Sequence, residues 1–265
     1  MPYIKQRIPA RSFGLFAVFL LAAGLVHADQ TRQQIYAARA RAEFQRALRR
    51  FQSDTNDAAA AWQFGRACFD WADEATNESQ RADIARQGIA ACRQLLGRQT
   101  NSAPGHYYLA MNDGQLAQAQ APSLASYRLV KQMEREFKMA AELDKSLDYA
   151  GPARSLGLLY RDAPGWPVSI GSRRKAREYL EQAVTIAPDY PENELNLAET
   201  FLDWHDLGGA KKALKALDAL WPAAQKHFTG QAWEQSWDDW SNRRAAAHKK
   251  LDDISAPAKS ARGPN

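Results

Sequence analysis

The stretch SLGLLYRDAPGWPVSIGSRRKAREYLEQAVTIAP, residues 155–188, decides the fold. It holds two amphipathic helical segments, separated by a stretch rich in proline, glycine and tryptophan. Four positions recur 34 residues later with similar residues: an alanine, a leucine, a further apolar residue and a proline. They are Ala176, Leu180, Ala183 and Pro188, and then Ala210, Leu214, Leu217 and Pro222. A repeat of this length is typical of stacked helical hairpins.

A second set of positions precedes each of these helices, at a larger offset. Leu156, Gly157 and Tyr160 correspond to Leu197, Ala198 and Phe201, which lie 41 residues further along the chain. The excess of seven residues over the repeat falls inside the Pro-Gly-Trp stretch. This stretch is therefore predicted to be an insertion between the two helices of one hairpin.

The pattern predicts how the helices pack. A small residue lets two helix backbones approach closely, and a large apolar residue one turn away fills the groove beside it. Proline after the second helix is expected to end it. Alternating β-branched runs, which would indicate strands, are rare. We therefore expect an all-α helical-hairpin solenoid with a leading helix, a C-terminal capping helix and hairpins at about 56–97, 103–145, 150–188 and 191–222.

These residues resemble the tetratricopeptide repeat (TPR) family. The order Leu-Gly-x-x-Tyr, then Ala-x-x-x-Leu-x-x-Ala-x-x-x-x-Pro, stands almost intact at residues 156–188. The insertion also looks like that of the T components of TRAP transporters, periplasmic helical proteins that partner solute-binding proteins. The resemblance implies a binding or adaptor protein for a transporter or envelope complex. A generic peptide-binding or assembly scaffold is the alternative.

The N-terminus predicts export. Lys5, Arg7 and Arg11 precede the apolar run FGLFAVFLLAAGLV at 13–26, and no acid occurs before Asp29. This pattern is typical of a signal peptide at 1–28, cleaved after Ala28, and a retained anchor helix is the alternative. The mature chain is then expected in the periplasm, as a repeat domain over 29–254, its cap at 223–254 and a disordered tail at 255–265.

The charge of the mature chain is small. The full chain has 35 basic and 30 acidic residues, and the predicted signal takes three of the basic ones, which leaves 32 − 30 = +2. A balance this close to neutral gives no indication of nucleic-acid binding. Apart from residues 13–26, the chain has no long apolar run, so stable membrane insertion of the mature chain is not expected.

Catalytic and metal motifs are absent from the sequence. The histidines of the mature chain, at 106, 205, 227 and 248, lack metal-ligand spacing, and Ser169 lacks the glycine that a nucleophile elbow requires. We expect no cofactor and a non-enzymatic function, with an enzyme lacking known motifs as the remaining alternative. Cys68 and Cys92 leave a disulfide open, because an exported compartment permits one but spacing cannot fix its geometry.

The candidate binding residues fall into two groups. In the insertion, Trp166 precedes a helix that starts with Arg173, Arg174 and Lys175. Three cations oppose the positive end of the helix dipole, which indicates an anion site for an acidic partner or a carboxylate ligand. Alternatively, the cations pair with neighbouring acids or lie in solvent. The second group, on the concave face of the solenoid, comprises Tyr107, Tyr108 and Asn112.

A tryptophan stripe lies near the C-terminus. Trp233, Trp237 and Trp240 follow the spacing of one helix face. An aromatic docking face is one interpretation. The favoured interpretation is a capping helix that covers the last hairpin, because large aromatic residues at helical spacing usually form core.

Overall fold

The described residues form an all-α structure. A computed structural model describes residues 19–120 and 123–255, with side chains from residue 31 onward. Its helices are α1 (Phe19–Ser53), α2 (Ala58–Asp73), α3 (Glu78–Leu96), α4 (Ala103–Gln118), α5 (Leu124–Leu143), α6 (Leu147–Asp162), α7 (Arg173–Ile186), α8 (Pro191–Asp203), α9 (Leu207–His227) and α10 (Glu234–Ser255), with a 3₁₀ turn at Gln231–Trp233. Residues 1–18 of the predicted signal peptide and 256–265 of the predicted tail lie outside the described residues. None of the described helices is both long and apolar enough to cross a membrane.

Consecutive helices pack as antiparallel pairs, which confirms the predicted fold class. The pairs are α2 with α3, α4 with α5, α6 with α7, and α8 with α9. The sequence predicts one repeat domain. Contacts between residues instead divide the chain into two compact units, of which the first ends at Asp144 and the second begins at Lys145. In the first unit α1 packs on α2 as the predicted leading helix.

Most helices begin at a residue that caps them. The side-chain oxygen of each N-cap accepts a hydrogen bond from a backbone N–H of the first turn, which would otherwise lack a partner. These N-cap residues are Asp57, Asn77, Ser102, Ser123, Ser172 and Asp206. The helix starts are therefore encoded locally in the sequence.

Small residues occupy the points where helices touch, as predicted. Ala176 and Ala210 are both fully buried. A Cβ atom at Gly157 on α6 would lie only 2.6 Å from Cγ of Leu180 on α7. In the first unit a Cβ at Gly65 would collide with Sγ of Cys92. The two helices of each pair can approach this closely because glycine has no side chain at the point of contact.

The predicted end of the fourth hairpin at Pro222 is wrong. Helix α9 includes Pro222 and continues to His227. The proline removes one backbone hydrogen bond near the C-terminus of the helix. Burial of Trp221, Ala224 and Phe228 on both sides of the proline offsets this loss. The predicted cap at 223–254 therefore contains the last turn of α9 as well as α10.

The start of α6 is an unusual turn. Asp148, Tyr149 and Ala150 have φ values of 49°, 55° and 65°, in the left-handed region that residues with side chains rarely adopt. The guanidinium of Arg154 donates to the backbone oxygens of Asp148 and Tyr149 at 3.2 and 3.0 Å. The amide of Asn193 on α8 donates to Tyr149 O at 3.1 Å. These buried polar groups hold the turn against its strain.

Helix α10 covers the last hairpin, in agreement with the favoured interpretation of the tryptophan stripe. It packs on α8 and α9. Trp240 is 1% exposed and its ring meets that of Tyr190 edge to face at 5.3 Å. Trp237 donates its indole N–H to Phe228 O at 2.6 Å. Trp240 therefore lies in the core, and the half-buried rings of Trp233, in the 3₁₀ turn, and Trp237 pack against it rather than forming an open aromatic surface.

The core of the first unit contains a buried carboxyl group. Both carboxyl oxygens of Asp113 on α4 are buried without a hydrogen-bond partner among the described residues. Burial raises the pKa of Asp113 to about 7, despite the opposing charges of Arg93 and Arg135 and the nearby Gln132 amide, and Glu136 adds to the rise. Burial likewise raises the pKa of Asp73 and of Glu194 to about 7.

The helix contact at Ala176 predicts a stability difference. Ala176→Leu should lower the free energy of unfolding by roughly 1–3 kcal/mol, because the added side chain overfills a closed contact. Ala245→Leu is the matched control, because Ala245 is exposed on α10. Urea unfolding followed by circular dichroism measures both. Equal losses in the two variants would contradict the packing described for α7.

The buried carboxyl groups predict a pH-dependent stability. The folded pKa of Asp113, about 7, lies above the usual value for an unfolded aspartate, so the folded chain binds more protons between these values. Its contribution is full below pH ~4 and is lost as pH rises through ~7, by at most roughly 4 kcal/mol. Asp113→Asn should flatten the unfolding free energy against pH.

The control for this prediction is Asp252→Asn, which removes an exposed carboxyl group from α10. Its unfolding free energy should follow that of the wild type at every pH. An Asp113→Asn profile as steep as that of the wild type would show that Asp113 titrates normally in the folded chain.

Candidate interaction surface

The insertion forms a closed loop between α6 and α7. This α6–α7 loop, residues 163–172, is tied at its base by two backbone hydrogen bonds, from Ser172 N to Tyr160 O at 2.9 Å and from Gly171 N to Pro164 O at 2.9 Å. Near its tip, Val168 N donates to Gly165 O at 3.1 Å. Hydrogen bonds therefore fix the backbone both at the base of the loop and near its tip.

Gly171 is required for this closure. A Cβ atom there would collide with the carbonyl oxygen of Ala163 and lie 2.8 Å from that of Pro164. Real Cβ atoms do not approach backbone oxygens so closely. The base of the loop therefore admits glycine alone without rearrangement.

The loop exposes its large apolar side chains. Trp166 is 89% exposed and Val168 is 56% exposed, and Trp166 is the most exposed large apolar residue among those described. A single exposed apolar side chain is common, whereas this loop exposes two that are two residues apart in the chain. Trp166 was a candidate from the sequence, whereas Val168 was missed because a lone valine in a loop gives no pattern.

The three cations at the start of α7 have different surroundings. Arg174 pairs with Glu178 one turn later, at 3.1 Å between Nη1 and Oε2. The guanidinium carbon of Arg173 lies 5.7 Å from the ring centre of Trp204, and Nζ of Lys175 lies 4.8 Å from that of Tyr160. Both distances are within the range of a cation–π contact.

Arg173 and Lys175 differ from Arg174 in lacking a carboxylate partner among the described side chains. Within residues 31–120 and 123–255, whose side chains are described, no carboxylate forms a salt bridge with either. Asp162, the acidic residue that precedes the loop, pairs with Arg161 at 2.6 Å. The structure therefore separates one paired cation from two that contact aromatic rings. The contact with Trp204 was missed, because residue 204 is 31 positions from Arg173 in the sequence.

The second group of candidate binding residues is not accessible. Tyr107, Tyr108 and Asn112 are 0%, 4% and 0% exposed. The amide of Asn112 donates to the backbone oxygen of Gly65 on α2 at 2.8 Å, and Tyr108 stacks on Trp62. Placing them on an open concave face was wrong, because they pack α4 against its neighbours. Nearly all residues of α4 from Ala103 to Gln115 are buried, so this part of the helix presents no open face to a partner.

Cys68 and Cys92 are free thiols in the core. Both are 0% exposed, and no disulfide joins them in the structure. Burial raises the pKa of Cys92 to about 12, with a further rise from nearby Asp113, and burial raises the pKa of Cys68 well above its usual value. The thiols therefore remain protonated and unreactive in the folded chain.

The described side chains show no assembled metal site. Among them, no group of three or more His, Cys, Asp or Glu residues is placed to hold a metal ion. His106 instead contacts Glu136 at 2.6 Å, and His248 contacts Asp218 at 3.1 Å. These histidines serve helix packing within their units.

Comparison with known proteins supports the fold. No protein-family model and no curated protein sequence matches the chain. Among solved structures, TTC0263, a thermophilic TPR protein of Thermus thermophilus, is 22% identical; the match covers 82% of this chain and 94% of that chain, with a TM-score of 0.58. The fold is TPR-like. MamA is 15% identical over 69% of this chain and 88% of its own, with a TM-score of 0.45.

The geometry of the loop base predicts a localised effect of Gly171→Ala. The added methyl group should open the base, lower the free energy of unfolding by roughly 1–3 kcal/mol and speed tryptic cleavage after Arg173. Gly208→Ala is the control, because the nearest atom to a Cβ there is 3.7 Å away. It should be neutral or stabilising by up to about 1 kcal/mol. Equal protease sensitivity in the two variants would contradict a closed loop.

Proposed function

We propose that the chain is a non-enzymatic, protein-binding adaptor that contacts its partner through the α6–α7 loop and the start of α7. One observation carries the proposal: Trp166 is 89% exposed on a loop whose backbone is fixed by hydrogen bonds. The two helices of one hairpin support the loop, since it leaves α6 and enters α7 directly.

A tryptophan on a loop with a fixed backbone is well suited to anchor a partner. Binding then orders few additional bonds, so less conformational entropy is lost than with a flexible loop. Tryptophan is enriched among the residues that dominate binding energy in protein interfaces. Truncating such an anchor costs roughly 2 kcal/mol or more, a loss of about thirtyfold in affinity.

The proposed setting is the periplasm. Its support is the sequence of residues 1–28, in which a basic start, an apolar run and the small residues before Asp29 form a signal-peptide pattern. The resemblance of the insertion to the T components of TRAP transporters supports a transporter solute-binding protein, or another envelope complex, as the partner. A carboxylate ligand carried by such a partner would suit the cations at the start of α7.

The proposal is tested by cross-linking in cells. A photoreactive phenylalanine analogue at Val168 should trap a protein partner in the osmotic-shock fraction, where the purified chain should begin at Asp29. Trp166→Ala should remove most of the cross-linked product, because the apolar anchor is lost.

Leu124→Ala is the matched control. Leu124 is 67% exposed but lies on α5 in the other unit, so its truncation should leave the product unchanged. Full cross-linking by the Trp166→Ala variant would exclude the loop as the contact surface. Recovery of the chain with Met1 intact in the membrane fraction would exclude cleavage after Ala28.

A further inference from the structure

We propose that the α6–α7 loop and the start of α7 select an acidic peptide segment of the partner that also carries an apolar side chain. The inference rests on the proposed function and names the chemistry of the partner. In it, Trp166 packs on the apolar side chain, whereas Arg173 and Lys175 bind the carboxylates.

The local charge is one-sided. Residues 163–177 contain the basic residues Arg173, Arg174, Lys175 and Arg177 and no acidic residue. Two of these cations are already neutralised within the chain, Arg174 by Glu178 and Arg177 by Glu181 at 2.9 Å. Of these four, Arg173 and Lys175 form no salt bridge with any described side chain, which leaves them available to an external anion.

The aromatic contacts of these two cations do not satisfy them. The ring faces of Trp204 and Tyr160 attract a cation but offer it no oxygen atom as a hydrogen-bond acceptor. The rings restrict both long side chains before binding, which lowers the entropic cost of engaging a carboxylate. An anion here would also relieve the repulsion between the cations and the N-terminal end of α7.

The apolar and cationic parts lie close enough for one short segment. Gly165 and Gly171 are bridged across the base of the loop, Trp166 follows Gly165 directly, and Arg173 is two residues beyond Gly171. Backbone geometry therefore limits the Cα separation of Trp166 and Arg173 to roughly 16 Å. An extended segment of about five residues spans this distance.

An acidic peptide fits this surface better than a nucleic acid does. Nucleic-acid binding relies on many phosphate contacts, which require a row of free cations. Of the four cations at the start of α7, two are unneutralised, in a mature chain whose formal charge is 32 − 30 = +2. Two carboxylates and one apolar side chain would satisfy all the groups that the surface offers.

The test is a selection from a phage library of random linear peptides. The wild-type chain is the target, and a Trp166→Ala, Arg173→Gln, Lys175→Gln variant removes clones that bind elsewhere. Circular dichroism and melting first establish that each variant is folded. Enriched clones should carry acidic residues within about five positions of an apolar residue.

Synthetic peptides from these clones then separate the contributions. Binding should fall about tenfold for Arg173→Gln with Lys175→Gln and weaken with rising salt. Arg174→Gln should change it less than about twofold, because Arg174 is paired within the chain. Arg173→Lys with Lys175→Arg should retain binding, since both charges and both ring contacts remain.

The remaining outcomes overturn the inference in distinct ways. Enriched clones without excess acidic residues would reject the acidic partner and leave the loop as a binding site. Peptides that lose nothing on Trp166→Ala, or a selection without enrichment over the variant, would reject the proposed function as well. A single-stranded DNA oligonucleotide that binds as tightly as the peptides, with the same dependence on Arg173 and Lys175, would reject selection for peptides.

Discussion

The close contact between α6 and α7 at Gly157 is the constraint on which the candidate surface depends. Without a side chain at Gly157, Leu180 can approach the backbone of α6. The ends of the two helices then lie near enough for Ser172 N to reach Tyr160 O at 2.9 Å. This hydrogen bond closes the base of the α6–α7 loop, on which Trp166 is 89% exposed. The geometry of the loop that carries the tryptophan thus depends on a glycine of the preceding helix.

The second unit contains another constraint of the same kind, made of polar groups. Arg154 is 1% exposed. Its guanidinium forms a salt bridge with Asp148 at 3.1 Å and lies over the ring of Tyr190. Removing one partner of such a buried pair would leave an uncompensated charge, which costs far more than the pair contributes. Asn193 connects the same turn to α7, because its amide also donates to the backbone oxygens of Ala183 and Ala187. The start of one hairpin and the end of its second helix are thereby held by α8.

Sequence reasoning predicted the hairpins because their signals are local. The Leu-Gly-x-x-Tyr and Ala-x-x-x-Leu spacings and the capping residues act within a few turns of helix. It failed where distant residues decide the outcome. The helix continues through Pro222 because buried side chains flank the proline. Asn112 is buried because it reaches a carbonyl on α2, and no spacing encodes that contact. The site was predicted in part. Trp166 was found, but the contacts of Arg173 with Trp204 and of Lys175 with Tyr160 were not, because folding alone brings these rings close to the cations.

The burial of both native cysteines has a practical consequence. Cys68 and Cys92 are the two cysteines of the chain, both are fully enclosed, and the pKa of each thiol is raised. Thiol-directed reagents act on accessible thiolates, so the native residues should remain silent while the chain is folded. One cysteine introduced on the loop would then accept a dye or spin label without removing any native residue from the core. The molecule thus provides its own unreactive background for following movement of the loop by spectroscopy.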